Sequence, residues 1–205
     1  MDALIRFLRS KKWARRAISG FSVLLLVLAA GLLGYPVYTN YVHNRLQGRL
    51  SHQIASPALA NRYRQHQLRE GDSLTRIKIP KLGVDVVVVQ GIGESALRAG
   101  AGHYPETPLP CEVGNVAIAG HRTTYGKPFA NIDQLVPGDQ VILTTPVGSC
   151  SYQVSRPPFV VSPTDRWVVA NTPGEYTLTL TSCHPKGSAA NRLVVKATMV
   201  SQAAA

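Results

Sequence analysis

Thr177-Leu178-Thr179-Leu180-Thr181-Ser182-Cys183 and, nine residues after its cysteine, Arg192-Leu193-Val194-Val195-Lys196-Ala197-Thr198 are the two runs that decide the fold. The first alternates Thr with Leu and the second alternates around valines, the pattern of strands with one face buried. Pro185 and Gly187 between them are turn residues. If the runs pair antiparallel, the end of one meets the start of the next. Cys183 and Arg192 then share one edge of a sheet. A thiol becomes a nucleophile as its thiolate, and a neighbouring guanidinium supplies fixed positive charge.

Working outward, short apolar runs recur at 74–79, 85–90, 116–119, 141–145, 152–155 and 159–161, with the two above at 176–181 and 193–200. Turn sequences separate them at Pro80-Lys81-Leu82-Gly83, Pro137-Gly138-Asp139 and Thr172-Pro173-Gly174. About eight short strands with little helix predict an all-β barrel or sandwich. Residues 93–100 predict one or two helical turns.

Residues 17–38 carry no charge and are long enough to span a bilayer. Arg6, Arg9, Lys11, Lys12, Arg15 and Arg16 precede them, which predicts a cytoplasmic N-terminal tail over 1–16. Trp13 on one side and Tyr35, Tyr38 and Tyr41 on the other are candidate interfacial residues. A cleaved signal peptide is the competing reading; Leu28 sits poorly before the small pair Ala29-Ala30, which favours an anchor. Residues 39–72 are polar and basic, interrupted by Pro57, and predict a stalk. The domain proper is expected over 73–203.

The net charge of +11 lies mostly in front of the domain: residues 1–72 carry +8 and residues 73–205 only +3. A nucleic-acid binder needs its basic stripe on the folded domain, so that class is set aside. The sequence has no Gly-rich phosphate loop and no paired metal ligands; neither a cofactor nor a metal is expected. Cys183, His184, His103 and His121 lack zinc-type spacing, and His103 and His184 are expected to line the site. Asp133 and Asp139 look like solvated loop charges. Cys111 and Cys150 are either a disulfide or two free thiols.

Thr179-Leu180-Thr181-Ser182-Cys183 followed by Arg192 resembles the TLxTC-to-Arg signature of the sortases, cysteine transpeptidases of Gram-positive cell surfaces, with Ser182 in place of the usual threonine. Ala119-Gly120-His121-Arg122-Thr123-Thr124-Tyr125-Gly126 matches the family's histidine segment, and the wording is most like class E. The resemblance covers roughly residues 73 to 200. It implies an eight-stranded sortase barrel behind one transmembrane helix. It also implies Cys183 as nucleophile, His121 as acid/base and Arg192 as oxyanion donor. Tyr104, in Gly102-His103-Tyr104-Pro105, together with Thr181 and Ser182, would contact the substrate. The implied reaction cleaves a C-terminal LAxTG- or LPxTG-type sorting signal between Thr and Gly. The acyl group then passes from a thioacyl enzyme to a cell-wall precursor amine. The implied partners are surface proteins bearing that signal, the wall amine and membrane lipid. Residues 40–72 contain no Asp-Pro pair, which argues against the lid of pilin-polymerising members. The alternatives are an L,D-transpeptidase, whose expected cysteine context is missing, and a non-catalytic surface-binding module, which a degraded triad would favour.

Overall fold

The computed structural model describes residues 12–204. The basic residues at positions 6, 9 and 11, and most of the expected 1–16 tail, lie outside the described residues. The chain falls into two bodies, one ending at Tyr38 and the other starting at Thr39.

Helix α1 spans Lys12–Gln53 and holds Pro36 within it. Through its first body the apolar side chains are bare: Phe21, Leu24, Leu32 and Leu33 are all exposed. It is the one described helix long and apolar enough to cross a membrane. An uncharged, apolar stretch of this length with exposed side chains suits a lipid surrounding.

The second body is a closed barrel. Its strands are β1 (Ser73–Ile79), β2 (Val84–Gln90), β3 (Ala101–His103), β4 (Gly114–Gly120), β5 (Gln140–Thr145), β6 (Gly148–Val154), β7 (Phe159–Val161), β8 (Tyr176–His184) and β9 (Asn191–Ala204). Pairing runs β6-β5-β1-β2-β3-β4-β8-β9, and β6 pairs again with β9 to close a ring of eight. The ring has the expected number of strands, with one change of membership. β3 is the member that the periodicity did not show. Residues 159–161, read as a barrel strand, lie outside the ring as β7, paired only to β9. Ile77, Ile118, Phe129, Tyr152, Leu178 and Leu180 fill the interior.

The valine run of β2 has a simple cause. Val88 faces the barrel core, whereas Val87 and Val89 face outward and are buried too. They are covered by Leu46, Leu50 and Ile54 and by helix α3 (Glu94–Ala99). A strand buried on both faces needs apolar residues at every position.

Residues 39–72, expected as a stalk, are packed against this barrel. The Gln47 side chain donates to the carbonyls of Val87 (2.9 Å) and Ala99 (2.7 Å) and accepts from the Val87 amide at 2.7 Å. α1 ends before Pro57, which opens helix α2 (Pro57–Arg64) behind the N-cap Ser56. Leu59 and Tyr63 of α2 are buried, and the Tyr63 hydroxyl donates to the Pro110 carbonyl at 2.7 Å. Cys111 and Cys150 form a disulfide joining the β3–β4 loop to β6.

Candidate active site

β8 and β9 pair antiparallel with Cys183 directly opposite Arg192, as the two sequence runs predict. Along β8, Leu178 and Leu180 point into the core, so Thr179, Thr181 and Cys183 point out of the barrel. β4 runs parallel to β8 on the other side, and its last paired residue is Ala119, opposite Thr181. Cys183 stands two residues further along β8, and His121 directly follows Gly120, the last residue of β4. These positions bring His121, Cys183 and Arg192 to one end of three adjacent strands.

Each is held locally. Gly120 precedes His121, and a Cβ there would meet the Phe129 ring at 2.6 Å; only glycine lets that ring plug the barrel under the histidine. The Phe129 amide donates to the His121 carbonyl at 3.1 Å. The His121 ring lies 5.4 Å from that of Tyr125. Burial pushes the imidazole below its usual range, because an imidazolium loses hydration there. His121 is therefore mainly neutral at pH 7. Arg192 places Nη1 on the carbonyls of Ala189 (3.0 Å) and Asn191 (3.1 Å). That fixes the head of the side chain while its other N–H groups remain for a ligand.

The loop after His121 is strained. Tyr125, Gly126 and Lys127 have φ of 48°, 71° and 41°, a left-handed run that costs the non-glycine residues about 1 kcal/mol or more each. The Gly126 amide donates to Asn40 Oδ1 of α1 at 3.2 Å, and a Cβ on Gly126 would strike the His43 ring at 2.3 Å. The guanidinium of Arg98, from α3, lies 5.8 Å from the Tyr125 ring centre. The neighbouring helices thus hold the loop that carries His121.

A cleft of about 220 Å³ opens beside the site, lined by Tyr104, Thr181, Arg192, Val161, Val168 and Arg166. The Tyr104 hydroxyl lies 3.1 Å from Thr181 Oγ1. Its far wall is the turn Arg166–Val169. Asn115 Nδ2 donates to the Val168 carbonyl at 3.2 Å, and Lys196 Nζ donates to the same carbonyl and to Thr179 Oγ1 at 2.7 Å. Burial, reinforced by nearby Arg156, brings the Lys196 ammonium down to about 8.

Ser182, expected among the substrate contacts, faces the other way. It is 4% exposed, and its hydroxyl donates to the Gly120 carbonyl at 2.8 Å, fastening β8 to β4. Asp133, read as a solvated charge, pairs with the buried guanidinium of Arg122 at 3.0 Å. Asp139 pairs with Lys81 at 2.7 Å. His184 does lie beside the site. Arg122, a residue the sequence did not single out, places Nη1 3.0 Å from its Nδ1. Among the described residues, no group of three or more His, Cys, Asp or Glu is placed to hold a metal.

His103 does not line the site. It is fully buried on β3, with Nδ1 2.9 Å from Gln90 Oε1 and Nε2 2.8 Å from the Pro108 carbonyl oxygen. Burial pulls its pKa down to about 4. The unfolded chain titrates near 6.5 and so binds the proton first. Stability should therefore be full above pH 6.5 and fall as pH drops toward 4, by roughly 3 kcal/mol from this group. Thermal melts from pH 7 to pH 4 should show a shallower decline in His103→Gln than in the wild type. Equal declines would remove His103 as a source of acid sensitivity.

Residues 77–200 match the sortase domain family. This chain belongs to the sortase family. Over 205 aligned residues it is 30% identical to Sortase SrtE1 of Streptomyces coelicolor, covering 92% of this chain and 58% of that protein. It thus spans little more than half the length of that curated relative. Among solved structures, a Clostridium perfringens Sortase D5 transpeptidase is 30% identical with a TM-score of 0.68, over 78% of this chain and 99% of that one. Sortase E1 of Streptomyces coelicolor, with a tripeptide in its active site, is 30% identical with a TM-score of 0.59, over 64% and 90% of the two chains.

Proposed function

We propose that this sortase is a membrane-anchored class E transpeptidase acting on LAxTG-type sorting signals. The observation that carries the reading is the placement of Cys183 between His121 and Arg192, at the ends of three adjacent strands, beside a cleft lined by Tyr104, Thr181 and Arg192. Cys183 passes its thiol proton to neutral His121 as Sγ attacks the Thr carbonyl of the signal, forming a C–S bond and leaving His121 as the imidazolium. The free N–H groups of Arg192 donate to the oxyanion. As the tetrahedral adduct collapses, the Thr–Gly C–N bond breaks and the leaving amine takes a proton from His121. An incoming wall-precursor amine then attacks the thioester and gives a proton to His121, the C–S bond breaks, and the departing Cys183 thiolate takes that proton back to restore the thiol and the neutral imidazole. The uncharged, apolar stretch of α1 over 17–38 supports anchoring, and the basic residues before it support a cytoplasmic N-terminus with the barrel outside. Surface proteins bearing the signal are the partners.

Tyr104 carries the choice of signal. Its phenol can donate to Thr181 Oγ1 while accepting from a substrate N–H. Ala at the second signal position has that N–H and Pro does not. One such bond is worth about 1 kcal/mol, or roughly five- to tenfold in rate. With LAxTG and LPxTG peptides and an amine acceptor, mass spectrometry should show transpeptidation with LAxTG preferred. Tyr104→Phe should shrink that preference by the same factor. A kcat/KM ratio unchanged in the variant would remove Tyr104 from specificity. No acyl transfer from either peptide would sink the sortase reading of the site.

A further inference from the structure

We propose that Arg122 is a positioning residue that fixes His121 against Cys183 where the strand ladder between them has ended; this rests on the transpeptidase reading above. The ladder joining β4 to β8 stops at Ala119 and Thr181, and Ser182 adds one side-chain bond to Gly120. Neither reaches the level of the two reacting side chains. At that level Arg122, the residue after His121, takes over. Its Nη1 donates to the carbonyl of Cys183 itself at 3.3 Å and to His184 Nδ1 at 3.0 Å. Its Nε donates to the Ala130 carbonyl at 3.3 Å, and its Nη2 meets Asp133 Oδ2 at 3.0 Å. One planar fork thus joins the His121 segment, residues 130–133 and the end of β8.

The chemistry of the group fits this task. The Arg122 side chain is 3% exposed, and a charge so buried needs a full set of acceptors. Asp133 balances the charge and is itself 43% exposed, so the pair is anchored at the surface and reaches inward. Arg has only donors, so His184 Nδ1 must accept, which requires the neutral tautomer protonated at Nε2. A lysine keeps the charge but offers one point of donation instead of a fork, and cannot serve all four acceptors in these directions. Proton transfer between His121 and the leaving amine depends on sub-ångström placement, and a shift of about 1 Å costs on the order of 100-fold.

The test uses the whole chain in detergent, with Arg122→Lys and Asp133→Asn assayed for kcat and KM on an LAxTG peptide, and for melting temperature. Arg122→Lys should lower kcat about 30- to 100-fold, with KM within about twofold. Asp133→Asn should lower kcat about three- to tenfold with KM equally unmoved, since it leaves the fork in place and removes one partly solvated partner. A merely structural role would lower the melting temperature and the active fraction without this ordered loss of kcat per folded molecule. A folded Arg122→Lys with wild-type kcat overturns the proposal. If that variant does not fold, wild-type kcat in Asp133→Asn overturns it instead. Wild-type protein that turns over no peptide overturns both the transpeptidase reading and the role built on it, whereas turnover with unaffected variants overturns the role of Arg122 alone.

Discussion

Cys183→Ala is expected to abolish acyl transfer while leaving the barrel intact. Cys183 is half-buried at the outer end of β8, and its backbone pairing with Arg192 does not involve the sulfur. Alanine keeps the Cβ and removes only Sγ, so the cost to folding should be small. The loss of activity should reach at least about 10⁴-fold, the order seen when a covalent nucleophile is removed. The chain has three cysteines and the other two are bonded to each other, so no second thiol can substitute. Intact mass spectrometry with an LAxTG peptide should show one thioacyl adduct on wild type and none on Cys183→Ala. Cys111→Ala and Cys150→Ala are the controls. They open a loop of sequence separation 39, which costs up to about 4 kcal/mol of stability, yet folded protein should form the adduct normally. An adduct on Cys183→Ala would remove the nucleophile assignment.

The heart of this site was readable in the sequence because it lies on two long strands. Thr177–Thr181 and Arg192–Thr198 carry their alternation openly, and the turn between them leaves little freedom in how they pair. β3 was not readable. Ala101-Gly102-His103 has no β-branched residue, and its strand form comes from being sandwiched between β2 and β4. Residues 159–161 have the composition of a barrel strand, but periodicity does not say which neighbour a strand finds. Arg122 and Asp133 were missed for a related reason. Their pairing depends on a loop folding back, and the ten intervening residues give no local sign of it. The tie between residues 39–72 and the barrel did leave a trace. Leu46, Leu50 and Ile54 recur once per helical turn, a narrow apolar stripe easily hidden among Gln and Arg. Its weight was masked because much of the docking is polar, with Gln47 bonding to the backbone of β2.

That docking makes the starting point of the catalytic body a matter of stability. A chain beginning at Ser73 keeps every strand but loses Leu50, Leu59 and Tyr63, all buried in the intact protein. At about 2 kcal/mol each, roughly 6 kcal/mol of burial disappears, against a total stability of about 5–15 kcal/mol for an ordinary domain. The outward faces of Val87 and Val89 are uncovered at the same time, and the backbone of Val87 loses both of its bonds to Gln47. Such a chain is expected to be insoluble, or to melt well below a chain beginning at Thr39, where the compact body starts. Any part that stays folded should also turn over peptide slowly, because the strained loop behind His121 has lost Asn40 and the contact with His43. Expressing the two chains side by side, and comparing their melting temperatures and kcat, tests both parts. Equal melting would show that residues 39–72 contribute little to the fold. Equal kcat would show that the His121 loop keeps its left-handed turn without them.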